Sequence, residues 1–267
     1  MKIGSQAGKL SAISASNPDS IVVRGFDLCN GLIGKVTFTD HVWLLVVGKL
    51  PSPEQRRVLD ATLVAIAEHG LVPSVAASRM TLAAAPEALQ GAVAAGILGC
   101  GSVILGSAEA AARFLAGILA GNGTRDIASA VHAALVEARD AKRAVPGYGH
   151  PLHKRADPRV GRLLAIAAET GVAGRHVEVA RLVENKLPEI TGKPLVMNVS
   201  GAIAAVMLDA GFPLLAVKGV PILARTASLI AHLLEEQERP IGFILADSGA
   251  ASVAYDGPSP PGFAPGE

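Results

Sequence analysis

The sequence predicts an all-α protein, and three observations carry that prediction. Half of the 267 residues are hydrophobic while only 3% are aromatic, a composition that favours closely packed helices over a β-sandwich. Apolar residues recur at helical spacing, as Leu59, Leu63 and Ile66 do. Short stretches rich in proline and glycine separate these periodic segments. We therefore expect about ten helices joined by short connections.

Helix start signals locate most of these elements. Ser52 followed by Pro53 combines a capping side chain with proline at the first helical position, which predicts a helix to Glu68. Thr39 or Asp40 is expected to cap a helix at about 41–48, and the pattern of 21–28 indicates either a short strand or an extended segment. Similar signals predict a helix that begins at Pro86 and runs into the glycine-rich segment after Gly91. They also predict helices at about 73–84, 109–119, 126–144, 157–168, 175–186, 198–210 and 221–238.

The two ends of the chain differ in composition from the segment between them. Residues 1–20 are polar and predict an N-terminal arm, and 251–267 carry so many prolines and glycines that a disordered tail is expected. One helical domain is expected over 21–250.

The N-terminus lacks the apolar core of a secretory signal, and Cys29 and Cys100 show neither disulfide nor metal-ligand spacing. The expected location is therefore the cytoplasm, and no metal is expected.

Charge and hydropathy argue against two kinds of partner. The formal net charge is +1 and no basic stripe is present, so nucleic acid is not an expected partner. No charged residue lies between Gly91 and Ala108, a length near the ~18 residues that a membrane span requires. Glycines interrupt this run, above all at Gly99 and Gly101, which favours a buried helix that breaks there. No membrane span is expected.

The most distinctive segment joins two predicted helices and has the sequence PGYGHPLHKRADPR over 146–159. Its glycines allow turns and a close approach of the backbone to a ligand. His150 in such a loop suits a proton donor at neutral pH, and Arg159 suits an anion clamp. A helix-to-helix connection with solvated polar groups, in which Asp157 is only a helix cap, is the alternative.

Two other places put polar residues where the helical pattern breaks. His69 follows a predicted helix end, where a solvated C-capping histidine is the simpler interpretation. Arg225 lies in an apolar stretch and needs an anionic partner if it is buried, either a structural carboxylate or a ligand. His232 on the same helix is interpreted as a packed core histidine. Two histidines and two arginines around one cavity would bind a di- or tricarboxylate and move a proton, but their spacing leaves that convergence open.

Several of these fragments resemble, in the same order, motifs of the citrate synthase superfamily and especially of its lyase branch. The central loop with Asp157-Pro158-Arg159 resembles the family signature P-G-[FY]-G-H followed by D-P-R. The shorter matches are Gly34-Lys35, Leu50-Pro51, Glu68-His69-Gly70, Pro73-Ser74, Asn198-Val199 and Leu223-Ala224-Arg225 followed by His232. The resemblance covers roughly 24–245 and is strongest to citryl-CoA lyase and the citrate synthase-like C-terminal module of ATP-citrate lyase.

The resemblance implies a fold, an assembly and a set of residue roles. The fold would be an all-α obligate dimer with a large helical domain and a smaller helical lid domain, the latter at approximately 145–215. The implied catalytic residues are His150, His69 and Ser200. Carboxylates would be bound by His69, Arg159, Arg225 and Arg239, the last of these lent across the dimer interface. The nucleotide of coenzyme A would face Pro146, Gly147, Tyr148, Gly149 and Lys193.

Two positions depart from the synthase pattern. Leu105 occupies the place of a histidine that donates to the thioester enolate oxygen in citrate synthases, and the lyase branch also lacks that histidine. Ser200 occupies the place of the aspartate that removes the thioester α-proton in the family's N-V-D motif. A serine hydroxyl is a poor general base at neutral pH, so this departure bears on which substrates the site can use.

The sequence therefore predicts a carbon–carbon lyase that acts on a coenzyme A thioester. It would cleave citryl-CoA, or a related 3-hydroxyacyl-CoA such as citramalyl-CoA, to acetyl-CoA and a 2-oxoacid such as oxaloacetate. A small-molecule carboxylate and a second copy of the chain are the expected partners, in a homodimer or a higher oligomer. The alternatives are condensation of acetyl-CoA with an oxoacid, and a homologue that binds coenzyme A or a carboxylate without turnover.

Overall fold

Eleven α-helices dominate the described part of the computed structural model, which comprises residues 10–103, 105–121, 126–149 and 155–262. In chain order the helices are α1 (Phe38–Val47), α2 (Pro53–Ala67), α3 (Pro73–Ala84), α4 (Leu89–Leu98), α5 (Ser107–Ala120), α6 (Ile127–Asp140), α7 (Pro158–Glu169), α8 (Arg175–Thr191), α9 (Val199–Asp209), α10 (Gly219–Glu238) and α11 (Gly242–Ala251). A π-helical turn at Leu28–Leu32 and a 3-10 turn at Leu214–Ala216 complete the helical content. The predicted all-α class is confirmed.

A small antiparallel sheet precedes the first helix. Its strands are β1 (Ser14–Ser16), β2 (Ile21–Val23) and β3 (Phe26–Asp27), hydrogen-bonded in the order β1-β2-β3. The segment 21–28, for which the sequence predicts either a short strand or an extended segment, thus contains the two strands β2 and β3 joined by a turn. Part of the predicted N-terminal arm pairs with it as the outer strand.

Local capping chemistry explains where the first helices begin. Thr37 caps α1, because its hydroxyl accepts from the Asp40 backbone while the Asp40 carboxylate accepts from the Thr37 N–H at 3.0 Å. The expectation that Thr39 or Asp40 is the cap was therefore wrong by two or three residues. The predicted start of α2 is confirmed: Ser52 and Gln55 exchange reciprocal bonds of 2.9 and 3.2 Å across its first turn.

Other helix boundaries differ from the sequence prediction where packing outweighs local signals. Helix α8 continues through Pro188 to Thr191, since Leu187 and Ile190 extend its buried face beyond the proline. Helix α11 was not predicted, and it is held by Gly242, whose absent side chain leaves room for Ala83. The break expected near Gly99 is confirmed, because α4 ends at Leu98.

The helices divide into two compact units. The first unit combines 1–65 with 107–220 and is built around α9, whose residues Val199–Met207 are all buried. Helices α5, α7 and α8 pack against α9 within this unit. Trp43 and Phe212 add an aromatic contact with ring centroids 5.4 Å apart. The predicted smaller domain at 145–215 lies inside the first unit, and its boundary stays a prediction.

The second unit combines 66–106 with 221–267, and in it α3 packs against α4 and α11. Gly96 permits a close approach to α10, since a Cβ there would lie 2.6 Å from the Leu229 side chain. A buried ion pair joins Arg79 to Glu236 at 2.6 Å. Glu236 also accepts the Gly242 N–H at 2.7 Å and so caps α11. Residues 252–262 form no helix or strand, and the predicted disorder of the tail stays a prediction.

One segment, Leu214–Glu238, is long and apolar enough to cross a membrane by length and composition. A third of its most apolar window is buried inside the protein. Core helices of soluble proteins share this composition. The uncharged run at 91–108, in contrast, is divided between the ends of α4 and α5.

Asp209 at the end of α9 holds the start of α8, and this generates a stability prediction. Its carboxylate accepts backbone N–H groups of Gly174, His176 and Val177 at 2.7–3.0 Å. Burial alone raises the pKa of Asp209, but these bonds and the His176 ring hold that pKa below its ordinary value. The stabilisation is therefore present above the pKa of the unfolded chain and is lost as pH falls through the folded-state pKa.

We expect Asp209→Asn to lower the free energy of unfolding at neutral pH by about 1–3 kcal/mol. As the pH is lowered, the free energy of unfolding of the variant should also fall less than that of the native protein. Urea unfolding between pH 3 and 7 measures both effects. Asp140→Asn is the matched control, because Asp140 forms an exposed ion pair with Arg139, and its effect should stay below about 0.5 kcal/mol. Equal effects of the two substitutions would contradict this account.

Candidate active site

The central loop is tied to the chain just before α9. Gly149 donates its N–H to the Val196 carbonyl at 2.7 Å, and Asn198 donates its N–H to the Gly147 carbonyl at 2.9 Å. Between them, Tyr148 forms an isolated bridge with Met197. These bonds fix the backbone up to the residue that precedes His150, and His150 itself lies outside the described residues.

Tyr148 anchors the same loop in the core of the first unit. Its hydroxyl donates to the Ala180 carbonyl at 2.7 Å, inside α8. Burial, together with the negative charge of Glu184, raises the pKa of Tyr148 above its ordinary value. The phenol therefore stays neutral, and its hydrogen bond to Ala180 fixes the position of the loop.

Asn198 joins the loop to the first turn of α9. Its side-chain oxygen accepts from the N–H groups of Ser200 and Gly201 at 3.0 and 3.2 Å, so Asn198 is the N-cap of the helix. Its side-chain amide donates to the Gly149 carbonyl at 2.7 Å. One side chain thus sets the position of the loop relative to Ser200.

Two glycines let the loop and α9 meet. Gly147 has φ of +88°, and a Cβ at this position would lie 2.8 Å from the Gly201 Cα. In return, a Cβ on Gly201 would lie 2.6 Å from the Gly147 carbonyl oxygen. Both positions therefore require glycine, the first for its backbone conformation as well as for space.

Asp157 and Arg159 form the next part of the cluster. Asp157, which is 3% exposed, caps α7 and accepts from the Arg159 guanidinium through both carboxylate oxygens at 2.9 and 2.8 Å. The same carboxylate accepts the Val199 N–H at 3.0 Å, which joins the starts of α7 and α9. Burial raises the pKa of Asp157, but the charge and hydrogen bonds of Arg159 outweigh that effect and lower it. Arg159 is half-buried and held in a bidentate ion pair.

Ser200 has a partner that the sequence did not reveal. Its hydroxyl lies 2.8 Å from the hydroxyl of Ser107, the first residue of α5. Ser200 is buried, whereas Ser107 is half-buried. The two hydroxyls form a direct polar link between the starts of two helices that pack along their length.

The second unit holds a separate polar cluster around Glu68. The carboxylate of Glu68 accepts from the Ser228 hydroxyl in a short hydrogen bond and lies 3.0 Å from Nε2 of His232. It also accepts the backbone N–H groups of His69 and Gly70. Burial raises the pKa of Glu68, but these partners lower it below its ordinary value. His232, which the sequence predicts to be a packed core histidine, is half-buried and pairs with this carboxylate.

Arg225 lies beside this cluster and is 3% exposed. Its Nη1 approaches the Ser228 hydroxyl at 3.5 Å, and its Nε has no hydrogen-bond partner among the described residues. Burial lowers the pKa of the Arg225 guanidinium, and the negative charge of Glu68 opposes this effect. No salt bridge joins Arg225 to a carboxylate in the described part of the chain, so part of its donor capacity is available to an anion.

The other residues named from the sequence lie apart from these two clusters or at their margins. His69 is half-buried and follows the end of α2. Arg239 is exposed, and its carbonyl accepts from the buried Arg79 at 3.0 Å. Lys193 is exposed in the loop after α8, and Pro146 is half-buried beside Gly147. The first unit therefore brings Gly147, Tyr148, Gly149, Arg159 and Ser200 together, and the second brings His69 and Arg225 to one cluster.

Sequence reasoning missed Ser107, Ser228 and the pairing of His232 with Glu68. Their partners are distant in the chain, so no local signal marked them. Only the first-turn position of Ser107, opposite a serine in a helix-capping motif, could have suggested a role. The described residues contain no group of three or more His, Cys, Asp or Glu side chains that could hold a metal ion; the absence of a metal stays a prediction.

Comparison with known proteins agrees with this architecture. Residues 51–242 match the family model described as Citrate synthase, C-terminal domain. The chain belongs to the citrate synthase family. It is similar to the citryl-CoA lyase of Hydrogenobacter thermophilus, with 33% identity and a TM-score of 0.84 over 96% of this chain and 97% of that one.

Two further proteins match this chain over a smaller share of their own length. The Citrate/2-methylcitrate synthase of Bacillus subtilis is 26% identical over 75% of this chain, which spans about half (53%) of the length of that relative. The ATP citrate lyase of Methanosaeta concilii, solved in complex with (3S)-citryl-CoA, superposes on 96% of this chain with a TM-score of 0.78 and 23% identity, over 43% of its own length. The latter similarity concerns the fold.

The contact between Gly147 and Gly201 generates a prediction about the loop. Gly147→Ala should lower the free energy of unfolding by about 2–4 kcal/mol, because alanine is strained at positive φ and its Cβ overlaps the α9 backbone. Chemical denaturation measures the loss. Gly161→Ala provides the matched control, since Gly161 lies in α7 with open space around it, and alanine there should stabilise by up to about 1 kcal/mol. A neutral Gly147→Ala would mean that the loop is not held against α9.

Proposed function

We propose that the protein is an acyl-CoA carbon–carbon lyase that cleaves citryl-CoA, or a related 3-hydroxyacyl-CoA such as citramalyl-CoA, to acetyl-CoA and a 2-oxoacid. The observation that carries this proposal is the correspondence, over nearly the whole length of both chains, with the citryl-CoA lyase of Hydrogenobacter thermophilus. The synthase relative is about twice as long.

The residue at position 200 bears on which substrates the site can use. Condensation requires a base that removes a proton from the acetyl methyl group, and Ser200 with its Ser107 partner supplies no carboxylate for this step. Cleavage begins instead with removal of the proton from the substrate hydroxyl. We assign that step to His150, which follows the fixed loop 146–149.

The acid portion of the substrate carries carboxylates, and the cations of the site suit them. Arg225 has a buried Nε without a partner among the described residues, and a substrate carboxylate would satisfy it. We propose that His69, Arg159 and, from a second copy of the chain, Arg239 bind the remaining carboxylate oxygens. Arg159 is already oriented by its bidentate pair with Asp157.

Coenzyme A is proposed to bind along the loop 146–149, with Lys193 near its phosphates. Two features of the first unit suit a nucleotide there. The loop backbone is held by the bonds of Gly147 and Gly149 to the chain before α9, and Pro146 borders a cavity of about 630 Å³ between α5 and α6. Arg113 and Arg143 lie in the wall of that cavity, and such a volume is in the usual range for ligand pockets.

Two alternatives keep a specific observation in their favour. A synthase that condenses acetyl-CoA with an oxoacid is favoured by the match to Citrate/2-methylcitrate synthase. A homologue that binds coenzyme A or a carboxylate without turnover is favoured by the neutral Ser200, since loss of a general base commonly abolishes proton transfer.

A homodimer in the cytoplasm is part of the same proposal, and an exposed apolar face of α10 supports the dimer. Ile230 and Leu234 lie one turn apart on this helix and are 53% and 58% exposed. Met80, Phe243 and Ile244 expose further apolar surface in the same unit. Exposed apolar side chains are a feature of interaction sites, and a second copy would cover them and carry Arg239 to the partner's site.

Incubation of the protein with citryl-CoA, and in parallel with citramalyl-CoA, tests the proposed activity. Mass spectrometry should detect acetyl-CoA from at least one of them. His150→Ala should reduce the rate by about 10²–10⁴-fold through loss of the proton carrier, while the exposed His132→Ala control keeps it. Activity retained in His150→Ala would remove His150 from the mechanism. Thioester binding without any cleavage would favour the homologue without turnover.

Introduction of negative charge on the exposed apolar face of α10 tests the dimer. Ile230→Glu with Leu234→Glu should convert the dimer to a monomer in light scattering, because two buried charges without partners oppose association. The monomer should lose activity if Arg239 acts on the partner's substrate. Val253→Glu is the control, since Val253 is 75% exposed but lies outside the helices. A native protein that is monomeric and active would contradict both parts of the proposal.

A further inference from the structure

We infer that Ser107 and Ser200 form a hydroxyl pair that donates a hydrogen bond to the thioester oxygen of the acyl-CoA substrate. In this assignment Ser200 contacts the oxygen and is catalytic, and Ser107 is a positioning residue that acts through Ser200. The inference rests on the proposed lyase function and deepens it, because it names how the site holds the enolate that cleavage produces.

The geometry of the pair supports this role. The two oxygens are 2.8 Å apart, the normal distance for an O–H···O hydrogen bond. Ser200 lies in the first turn of α9, and the Asn198 cap of that turn also bonds the Gly149 carbonyl beside His150. The pair therefore lies at the point where the central loop, α5 and α9 meet.

One of the two hydroxyl protons of the pair remains free to bond a ligand. Each hydroxyl carries one proton and accepts through two lone pairs. When one hydroxyl donates to the other, the second keeps a free O–H. Hydrogen bonds in such a chain polarise one another, so the free proton is a better donor than that of an isolated serine. The positive ends of the α5 and α9 dipoles favour the same negative charge.

The alternative chemistry for the pair, proton abstraction, is unfavourable. Neither serine has a carboxylate or imidazole hydrogen-bonded to its hydroxyl among the described contacts, and an unactivated hydroxyl is a poor base at neutral pH. A donor to an oxyanion needs no such activation. Fixed donors of this kind contribute a large share of the rate in acyl chemistry.

Cleavage through this pair balances without any further reactant. The hydroxyl proton of the 3-hydroxyacyl-CoA passes to His150, the bond between C2 and C3 breaks, and its electron pair forms the thioester enolate. The oxoacid keeps the new carbonyl. The enolate carbon then takes a proton from water, and the resulting hydroxide takes the proton that His150 holds. The pair only donates a hydrogen bond and transfers no proton.

The spectrum of bound acetyl-CoA, the product of the proposed reaction, tests the inference directly. A hydrogen bond to the thioester oxygen lowers the carbonyl stretching frequency, which isotope-edited infrared spectroscopy of acetyl-CoA labelled with carbon-13 at the carbonyl measures. The native complex should show a lowered frequency compared with free acetyl-CoA. Ser200→Ala should return the band to its free position, and Ser107→Ala should return it most of the way. Ser107→Thr, which keeps a hydroxyl, should retain the lowered frequency.

The kinetic effects should follow the same pattern. Ser200→Ala should lower kcat for cleavage by about 10²–10³-fold, the usual loss for one oxyanion donor, with KM changed by less than about threefold. Ser107→Ala should lower kcat by about 10–10²-fold, and the double variant should be no worse than Ser200→Ala, since the two act as one unit. Ser78→Ala is the matched control, because Ser78 is also a buried serine that bonds across a helix pair, to the Ala92 carbonyl at 2.8 Å.

The outcomes separate this inference from the proposed function. A native band at the free position, or a lowered band that Ser107→Ala and Ser200→Ala leave unchanged, would overturn the inference even if cleavage occurs. If the pair only joins α5 to α9, the variants should have a lowered unfolding temperature, as is expected of Ser78→Ala, and an unmoved band. A lowered band that the variants abolish, in a protein that cleaves no 3-hydroxyacyl-CoA, would support the oxygen site and reject the lyase.

Discussion

The hydrogen bonds of one side chain, Asn198, are the constraint on which the candidate site depends. Its oxygen caps α9 and its amide holds the Gly149 carbonyl, so a helix start and a functional loop share one fixed point. An aspartate here could cap the helix but could not donate to the loop. Alanine would leave both the first N–H groups of α9 and the loop carbonyl without a partner.

Three arginines in the two units differ in how far their charge is paired. Asp157 and Arg159 satisfy each other in the first unit, and the pair Arg79–Glu236 does the same in the second. Arg225 is the contrast, since its Nε is buried without a partner among the described residues while Glu68 reaches it only through Ser228. An unsatisfied buried cation is costly to fold around, and a carboxylate ligand would remove that cost. Arg225 therefore differs from the paired arginines by its unsatisfied donor.

The two positions that depart from the synthase motifs, Leu105 and Ser200, both lie near Ser107, the first in the sequence and the second in space. Leu105 is buried and has φ of +64°, a conformation unfavourable for leucine, and it lies two residues before Ser107. Ser107 in turn meets Ser200. The polar contact between the starts of α5 and α9 is thus made by two neutral hydroxyls.

Signals that act within a few residues made much of the fold predictable. The capping pair of Ser52 and Gln55, the proline at the start of α7 and the glycines around His150 act over one helical turn, so the sequence was sufficient to place them. The Thr37 cap was missed although it is local, because Thr39 and Asp40 offered the same chemistry two residues later. The sequence predicts the end of α8 at about residue 186, whereas burial of Leu187 and Ile190 carries the helix through Pro188 to Thr191.

By itself the sequence determined the helical class, most helix positions, the central loop and the family motifs, because each depends on propensity and capping between neighbours. Only the tertiary structure decided that Ser107 meets Ser200, that Glu68 meets Ser228 and His232, and that the guanidinium of Arg225 is left with an unpaired donor. These contacts join residues far apart in the chain. Their existence depends on the register in which helices pack, which is set by the shapes of whole apolar faces and is not encoded in any short stretch.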